Sequence, residues 1–405
     1  MEEHLEARYI VETLANAGFV GYYAGGWVRD LLLQVPSDDI DIATNAPPET
    51  IQALFPKTVP IGIAFGIILV LVNGRQYEVA TFRQDFDYHD GRRPTRISFT
   101  TAEEDAKRRD FTINGMFYDP IKKEVLDFVG GKIDLEKKII RAIGDPHQRI
   151  QEDRLRMIRA LRLSCRFGFL IEPLTEAAIR AHANELFPAV AIERIVQELE
   201  KGKASGKLRE LLIQLHEFGL LGAIFPNVKP LYKAEIEKRL EPLKRFPSNT
   251  PLIVSLLELF PNSPLEFQLN LCQTLKLSSW DSQVVSFLFQ ARHHSPEDLF
   301  SWAHFYAHAL SSLSIQVLAA HLEPSKHSAF LQEHEIRRHN LQSSIRRIQT
   351  HHPVVKSADL IAVGIQPGKK MGLLLKEAER IAINEQLEDK EMILQRLRNL
   401  HKWNS

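Results

Sequence analysis

The spacing of apolar and polar positions divides the chain into two parts of different character. Before about residue 145 helical and strand patterns alternate, and residues 2–17 have the spacing of an amphipathic helix. Four short runs rich in β-branched and aromatic residues predict strands: Ile40–Ile42, Ile67–Val72, Tyr77–Thr81 and Val125–Phe128. The Asn73-Gly74 pair predicts a hairpin turn between two of these runs.

Beyond residue 145 the strand signals almost vanish, and long stretches with helical periodicity follow, such as "EDRLRMIRALRLSCRF" and "KLRELLIQLHEFGLL". Prolines at 173, 188, 226, 251, 261, 264, 296 and 353 separate these stretches. The sequence therefore predicts a mixed α+β fold, with a small antiparallel or mixed sheet in the N-terminal part and an all-helical remainder.

Composition narrows the class of protein. The 405 residues suffice for two or more domains, and 51 basic residues balance 51 acidic ones, which disfavours a uniformly basic surface. Cys165 and Cys272 are far apart, which argues against a disulfide scaffold or a zinc site and fits a reducing cytoplasm. The N-terminus lacks a signal-peptide pattern, and the longest apolar runs are too short to span a bilayer. We therefore expect a cytoplasmic protein without a membrane partner.

The segment "PSDDIDIAT" contains the first candidate chemistry. Asp39 and Asp41 are two positions apart, so on a strand both carboxylates lie on one face. Two such carboxylates repel each other, and a divalent cation with a preference for hard oxygen ligands, such as Mg²⁺, relieves the repulsion. An exposed acidic turn explains the same pattern, and taken alone it is the better explanation.

A glycine pair just before these aspartates changes the balance. Gly25-Gly26 precede a predicted helix that starts near Trp27, and free N–H groups at a helix N-terminus bind phosphate. Arg29 lies one turn further and could reach the same anion. A tight turn before a surface helix is the alternative. A phosphate cradle beside a two-carboxylate metal strand is what nucleotidyl transfer requires.

Two further clusters of charge follow. Arg108, Arg109 and Asp110 stand ahead of a predicted apolar helix, either as a charged helix start capped by Asp110 or as contacts to a nucleotide. In the next stretch arginines recur every three or four residues and few acids balance them, which favours phosphate as their partner: Arg156, Arg159, Arg162 and Arg166. Asp153 and Arg156 are neighbours on this helix and form either an internal ion pair or a donor–acceptor set for a base edge.

The ordered set "GGWVRD…DDIDIAT", "KRRDFTIN", "EDRLRMIRALR" and "AIERIVQEL" resembles the class II tRNA nucleotidyltransferases and the related bacterial poly(A) polymerases. The resemblance covers about the first 210 residues and resumes in "DLIAVGIQPGKKMGLLLKEAER", which looks like the tail of bacterial CCA-adding enzymes. It implies a nucleotidyltransferase head over residues 1–145, a helical neck over 146–210, a helical body over 211–350 and a tRNA-binding helical tail over 351–405.

The resemblance also implies roles for individual residues. Asp39 and Asp41 would be catalytic and hold Mg²⁺. Eight residues would bind the nucleotide: Gly26 and Arg29 at the triphosphate, Arg109 and Asp110 at the sugar and phosphates, Asp153 and Arg156 at the base, and Arg159 and Arg162 as support from the same helix. Glu193 and Arg194 would brace that helix. Gln34 departs from the family, which often has glycine at this position.

The implied partners are tRNA, CTP and ATP, and no obligate protein partner is evident. "VPIGIAFGIILVLV" replaces the basic stretch of the poly(A) polymerases, and no basic extension follows the tail motif, so a tRNA enzyme is favoured. The segment from Arg83 to Lys107 resembles the flexible loop that enzymes adding only CC tend to lack. Addition of C and A is expected, while addition of A alone, poly(A) synthesis and a non-catalytic RNA-binding role are the alternatives.

Overall fold

The computed structural model describes residues 4–62, 65–88 and 94–400. The chain forms two compact units, Met1–Glu237 and Lys238–Ser405, and every strand in the described ranges belongs to the first. This arrangement confirms the predicted α+β class. No helix in those ranges is long and apolar enough to cross a membrane. The finer division into head, neck, body and tail stays a prediction.

The described part of the first unit contains eleven strands. In chain order they are β1 Gly21–Ala24, β2 Asp41–Thr44, β3 Thr58–Gly62, β4 Ile67–Val72, β5 Arg75–Thr81, β6 Arg83–Tyr88, β7 Pro94–Phe99, β8 Phe117–Asp119, β9 Glu124–Leu126, β10 Ile139–Ile140 and β11 Leu170–Ile171. Seven of them form the main sheet in the order β3-β4-β5-β2-β1-β8-β9. β2 and β5 pair in parallel and the other neighbours are antiparallel, so the sheet is mixed.

Alternation along β1 gives the sheet two different faces. Tyr23 meets the Trp27 ring edge-on on one face, with 4.9 Å between centroids. Tyr22 lies on the other face, 6.0 Å from Phe82 and 6.2 Å from Phe117. Asp41 is registered opposite Ala24 and therefore shares the face of Tyr22.

Helices make up the rest of the first unit. They are α1 Leu5–Asn16, α2 Gly26–Leu32, α3 Pro48–Leu54, α4 Ala102–Lys107, α5 Gly131–Lys137, α6 Pro146–Glu152, α7 Leu155–Phe167, α8 Pro173–His182, α9 Ile192–Ala204, α10 Leu208–Glu217 and α11 Leu220–Ile224. The boundary between the units falls within α12, Lys233–Arg239.

All the regular secondary structure in the described residues of the second unit is helical. It comprises α13 Leu252–Leu257, α14 Leu265–Thr274, α15 Ser279–His293, α16 Leu299–Ala307, α17 Ser311–Ala320, α18 Pro324–Asn340, α19 Gln342–Thr350, α20 Ser357–Ala362, α21 Lys369–Asn384 and α22 Lys390–Arg398. One apolar core joins α16 to α19, and a second joins the last three helices around Leu360, Leu374 and Leu397.

Of the predictions for single turns, helices and loops, some are confirmed and others are wrong. The turn at Asn73-Gly74 is confirmed, because both residues have positive φ (49° and 80°) between antiparallel β4 and β5. The helix expected after Asp110 is wrong, since only a 3₁₀ turn, Thr112–Asn114, precedes β8. The expected loop from Arg83 to Lys107 contains the β6–β7 hairpin and α4, while its residues 89–93 lie outside the described ranges. Its mobility stays a prediction.

Candidate active site

Carboxylates gather where β2 begins. Asp41 is its first residue, and Asp39 lies two residues earlier, outside the strand. The parallel register of Ile42 with Val79 places Asp41 level with Glu78 on β5. Partial desolvation of the carboxyl, followed by the charges of Glu78 and Asp39, raises the pKa of Asp41 to about 6 against the opposing effect of Arg109. A cation at this point would relieve the crowding.

Gly25 leaves room beside this carboxylate. Its backbone has φ 69°, and a Cβ here would stand 3.2 Å from Nη1 of Arg109 and 4.0 Å from Oδ2 of Asp41. The chain therefore passes between a cationic and an anionic side chain where a larger residue would intrude. The predicted helix after the glycine pair is confirmed as α2, beginning at Gly26.

Arg29 is buried, with only 4 % of its surface exposed, and its guanidinium contacts several side chains. It contacts Asp30 at 2.7 Å and donates to Oδ1 of Asn114 at 2.6 Å. Its guanidinium also lies 4.7 Å from the Phe167 ring centroid. A Cβ on Gly26 would meet its Nη2 at 3.3 Å. Arg29 is thus a fixed positive charge behind the first turn of α2.

Arg108 and Arg109 share one buried carboxylate that the sequence did not reveal. Asp105 is 1 % exposed and contacts Arg108 at 2.7 Å and Arg109 at 3.0 Å. Burial opposes its ionisation, but the charges of Arg109 and Arg108 hold the pKa of Asp105 below its usual range. Arg109 also stacks on Phe117, 4.8 Å from the ring centroid. Both arginines are therefore held in place by the same carboxylate.

Asp110 is fixed by partners from two directions. Arg159, on α7, contacts Oδ2 at 2.6 Å, while Asn114 donates to Oδ1 at 3.1 Å. Burial raises the pKa of Asp110, but the charge and hydrogen bonds of Arg159 outweigh it and lower the pKa to about 2. The carboxylate is therefore ionised and oriented, and its capping role in an apolar helix is excluded because that helix does not form.

Glu198 on α9 is a second carboxylate that sequence reasoning missed. It is 2 % exposed and accepts from Nε of Arg162 at 2.5 Å, with Arg159 at 3.5 Å. The charges of these arginines lower the pKa of Glu198 in spite of its burial. Because Glu198 lies on α9, two helices further along the chain, the spacing of residues within α7 could not indicate it.

Asp153 and Arg156 do not form the internal ion pair considered above. Arg194 contacts both oxygens of Asp153, at 3.1 and 2.8 Å, which brings α9 against the start of α7. Arg156 pairs with Glu152 at 2.8 Å and donates to the carbonyls of Arg149 at 2.7 Å and Arg108 at 3.2 Å. Each of the two residues is thus oriented by a different partner.

The arginine stripe on α7 is balanced by acids from other segments. Its partners, in chain order of the arginines, are Glu152, Asp110, Glu198 and Asp30. The expectation that few acids balance these arginines is therefore wrong, because three of the four partners lie far from α7 in the sequence. The stripe instead joins α7 to α2, α9 and the segment around Asp110.

The predicted site residues fall into two groups: Asp39 and Asp41 with Arg109 beside them, and an arginine–acid network around α7. Among residues 4–62, 65–88 and 94–400 no three or more His, Cys, Asp or Glu side chains are grouped to hold a metal ion. Two protein carboxylates would therefore leave coordination positions for phosphate oxygens and water.

A mixed sheet carrying paired carboxylates, joined to an arginine-lined helix, defines a nucleotidyltransferase head. The profile of the poly A polymerase head domain matches residues 21–141, and that of the probable RNA and SrmB-binding site of polymerase A matches residues 168–232. The chain is 33 % identical over 409 aligned positions to the CCA-adding enzyme of Pediococcus pentosaceus, covering 97 % of both chains. The chain belongs to the CCA-adding enzyme family.

Other relatives agree. The CCA-adding enzyme of Bacillus subtilis is 44 % identical over 214 residues, covering 52 % of this chain and 53 % of its own. The crystal structure of the Bacillus stearothermophilus CCA-adding enzyme in complex with CTP superimposes with a TM-score of 0.80 at 29 % identity, covering all of both chains. Nucleotidyltransferases of this family are generally dependent on a divalent metal.

Proposed function

We propose that this chain adds C and A to the 3′ end of tRNA from CTP and ATP, without a nucleic-acid template. The 3′-hydroxyl of the tRNA attacks the α-phosphate and pyrophosphate leaves. Similarity along 97 % of a CCA-adding relative is the observation that carries the proposal. The cytoplasmic location and the independence from a protein partner stay predictions from the sequence.

Asp39 and Asp41 are the residues that would hold Mg²⁺. Two observations support this assignment. The raised pKa of Asp41 shows that its negative charge is unfavourable beside the neighbouring carboxylates, and a bound cation would relieve this. Carboxylate oxygens are also the hard donors that suit Mg²⁺. Bound Mg²⁺ lowers the pKa of an attacking hydroxyl and stabilises negative charge on a leaving pyrophosphate. Gly25 has no side chain beside Asp41, which leaves room for a phosphate to approach the carboxylates.

The triphosphate and sugar have candidate partners around this point. Gly26 and Arg29 would bind the phosphates, as the family resemblance implies, with Arg29 acting from a position fixed by Asp30. Arg109 lies next to Gly25 and would reach the same anion. Asp110 is ionised and would accept a hydrogen bond from a ribose 2′-hydroxyl, which deoxyribose lacks.

The base would be read by Asp153 and Arg156. Cytosine and adenine both present an exocyclic amine, whereas guanine and uracil present a carbonyl oxygen there. A carboxylate accepts from that amine, and a guanidinium donates to the adjacent ring nitrogen, so the pair favours C and A. The hydrogen bonds of Arg156 to described residues use three of its five N–H donors, so it can make this contact without releasing an acceptor. Arg159 and Arg162 would support the nucleotide from the same helix.

The test uses three tRNA transcripts, which lack the whole CCA end, the last CA or only the last A. Each is incubated separately with CTP and with ATP, and the products are resolved at single-nucleotide length. C addition to the first two transcripts and A addition to the third are expected. Addition of A alone would instead identify an A-adding enzyme, and an extended A tail would identify a poly(A) polymerase.

A variant pair tests the metal carboxylates. Asp41→Asn should abolish addition at saturating Mg²⁺ while tRNA binding is retained, because the phosphate contacts lie elsewhere. Asp38→Asn removes an exposed aspartate just outside the pair and should keep both properties. Turnover by Asp41→Asn close to that of Asp38→Asn would overturn the two-carboxylate assignment.

A further inference from the structure

Two histidines from different helices meet away from the carboxylates of β2. His147, in the first turn of α6, is exposed, and His182, the last residue of α8, is 9 % exposed. Nδ1 of His147 lies 3.1 Å from Nε2 of His182, and the ring planes are 72° apart. The proposed reaction uses neither side chain.

A carboxylate stands behind the buried ring and fixes its tautomer. Nδ1 of His182 is 2.9 Å from Oε1 of Glu185, and Arg154 contacts Oε2 of Glu185 at 3.1 Å. The hydrogen bonds from His182 and Arg154 lower the pKa of Glu185, so this carboxylate only accepts. Nδ1 of His182 therefore carries the proton, and in the neutral ring the lone pair of Nε2 points towards His147.

We propose that His147 and His182 bind a transition-metal ion of the zinc class, with Glu185 as the carboxylate that orients His182. A ligating histidine usually donates its other N–H to a carboxylate, which fixes the ring and raises its basicity. The His182–Glu185 contact already supplies this arrangement before any ion is bound.

The nitrogen separation fits such an ion. With Zn–N bonds of about 2.05 Å, a tetrahedral angle requires nitrogens about 3.3 Å apart. The present 3.1 Å corresponds to a slightly smaller angle. His147 must move its proton from Nδ1 to Nε2, a tautomer change without net release, and its exposure leaves an entry path. Water would fill the remaining positions, because the described residues supply no further ligand here.

An ion at this point would join α6 to α8. α6 also carries Arg149 and Glu152, and both contact Arg156. Metal binding would therefore stiffen the helix that orients Arg156.

The experiment measures Zn²⁺ binding to the full chain by calorimetry, after chelator treatment and in excess Mg²⁺ that occupies hard oxygen sites. His147→Gln is the main variant because its side chain is exposed and the fold should tolerate it. Glu185→Gln removes the orienting charge. His339→Gln, at an exposed position of α18, is the matched control for nonspecific histidine binding.

Wild type and His339→Gln should each bind one equivalent of Zn²⁺ that raises the melting temperature. His147→Gln should lose this equivalent, and Glu185→Gln should bind it about tenfold more weakly. The metal site is excluded if the wild type and His147→Gln bind the same amount of Zn²⁺ with the same isotherm. The two rings would then be joined only by a hydrogen bond.

Discussion

The contact between Arg159 and Asp110 should be a main source of stability in the first unit. The pKa of Asp110 is about 2, against an ordinary value of 3.8, with its side chain only 11 % exposed. This difference corresponds to about 2.5 kcal/mol at neutral pH. Because the folded pKa is depressed, the contribution is complete above pH 3.8 and is lost as the pH falls through about 2.

Arg159→Leu should therefore lower the free energy of unfolding at pH 7 by about 2–4 kcal/mol, since it leaves a buried carboxylate with Asn114 as its remaining side-chain donor. For a unit of this size the melting temperature should fall by roughly 5–15 °C in scanning calorimetry. The control is a double-mutant cycle. In an Asp110→Asn background the same change should cost under about 1 kcal/mol.

The cycle separates the pair from the other contact of Arg159. Arg159 also lies 3.5 Å from Glu198, and that contact is lost in both backgrounds, so its effect cancels. Equal destabilisation by Arg159→Leu with and without the Asp110 carboxylate would refute the reasoning. It would mean that the contact with Glu198 or the packing of the arginine stem, rather than the pair with Asp110, determines the loss.

Four further outcomes are expected. Mg²⁺ affinity measured by calorimetry should fall as the pH drops below about 6, the raised pKa of Asp41, because protons compete with the ion for this carboxylate. Without metal, the free energy of unfolding should fall as the pH rises from 3.8 to about 6, because the carboxyl ionises less readily in the folded chain than in the unfolded one. Arg194→Ala should reduce discrimination of CTP and ATP against UTP and GTP more than Arg194→Lys does, and equal incorporation ratios would contradict this. Gly131→Ala should lower the melting temperature well below that of Gly372→Ala, because a Cβ on Gly131 meets a carbonyl at 2.4 Å and one on Gly372 meets nothing within 4 Å. Gln34→Gly should raise the free energy of unfolding by roughly 1 kcal/mol, because Gln34 has φ 57° in the left-handed region; no gain in urea denaturation would count against strain there.

Much of the fold could be predicted from residues that are close together in the sequence. The β-branched run Ile67–Val72 and the Asn73-Gly74 turn predict β4 and the hairpin that follows, because both depend on residues that are adjacent in the chain. β1 and β8, however, are four and three residues long, too short for a clear period. They exist because neighbouring strands complete their hydrogen bonds, and this is a tertiary effect.

The site divides in the same way. The sequence by itself indicated candidate residues for chemistry: Asp39 and Asp41 by their spacing, and the arginines of α7 by their periodicity. Only the tertiary structure decided how they are paired. Glu198 stands 36 residues from Arg162, and Asp110 stands 49 residues from Arg159. Which acid balances which arginine depends on packing between segments far apart in the chain, and side-chain spacing within one helix holds no information about it.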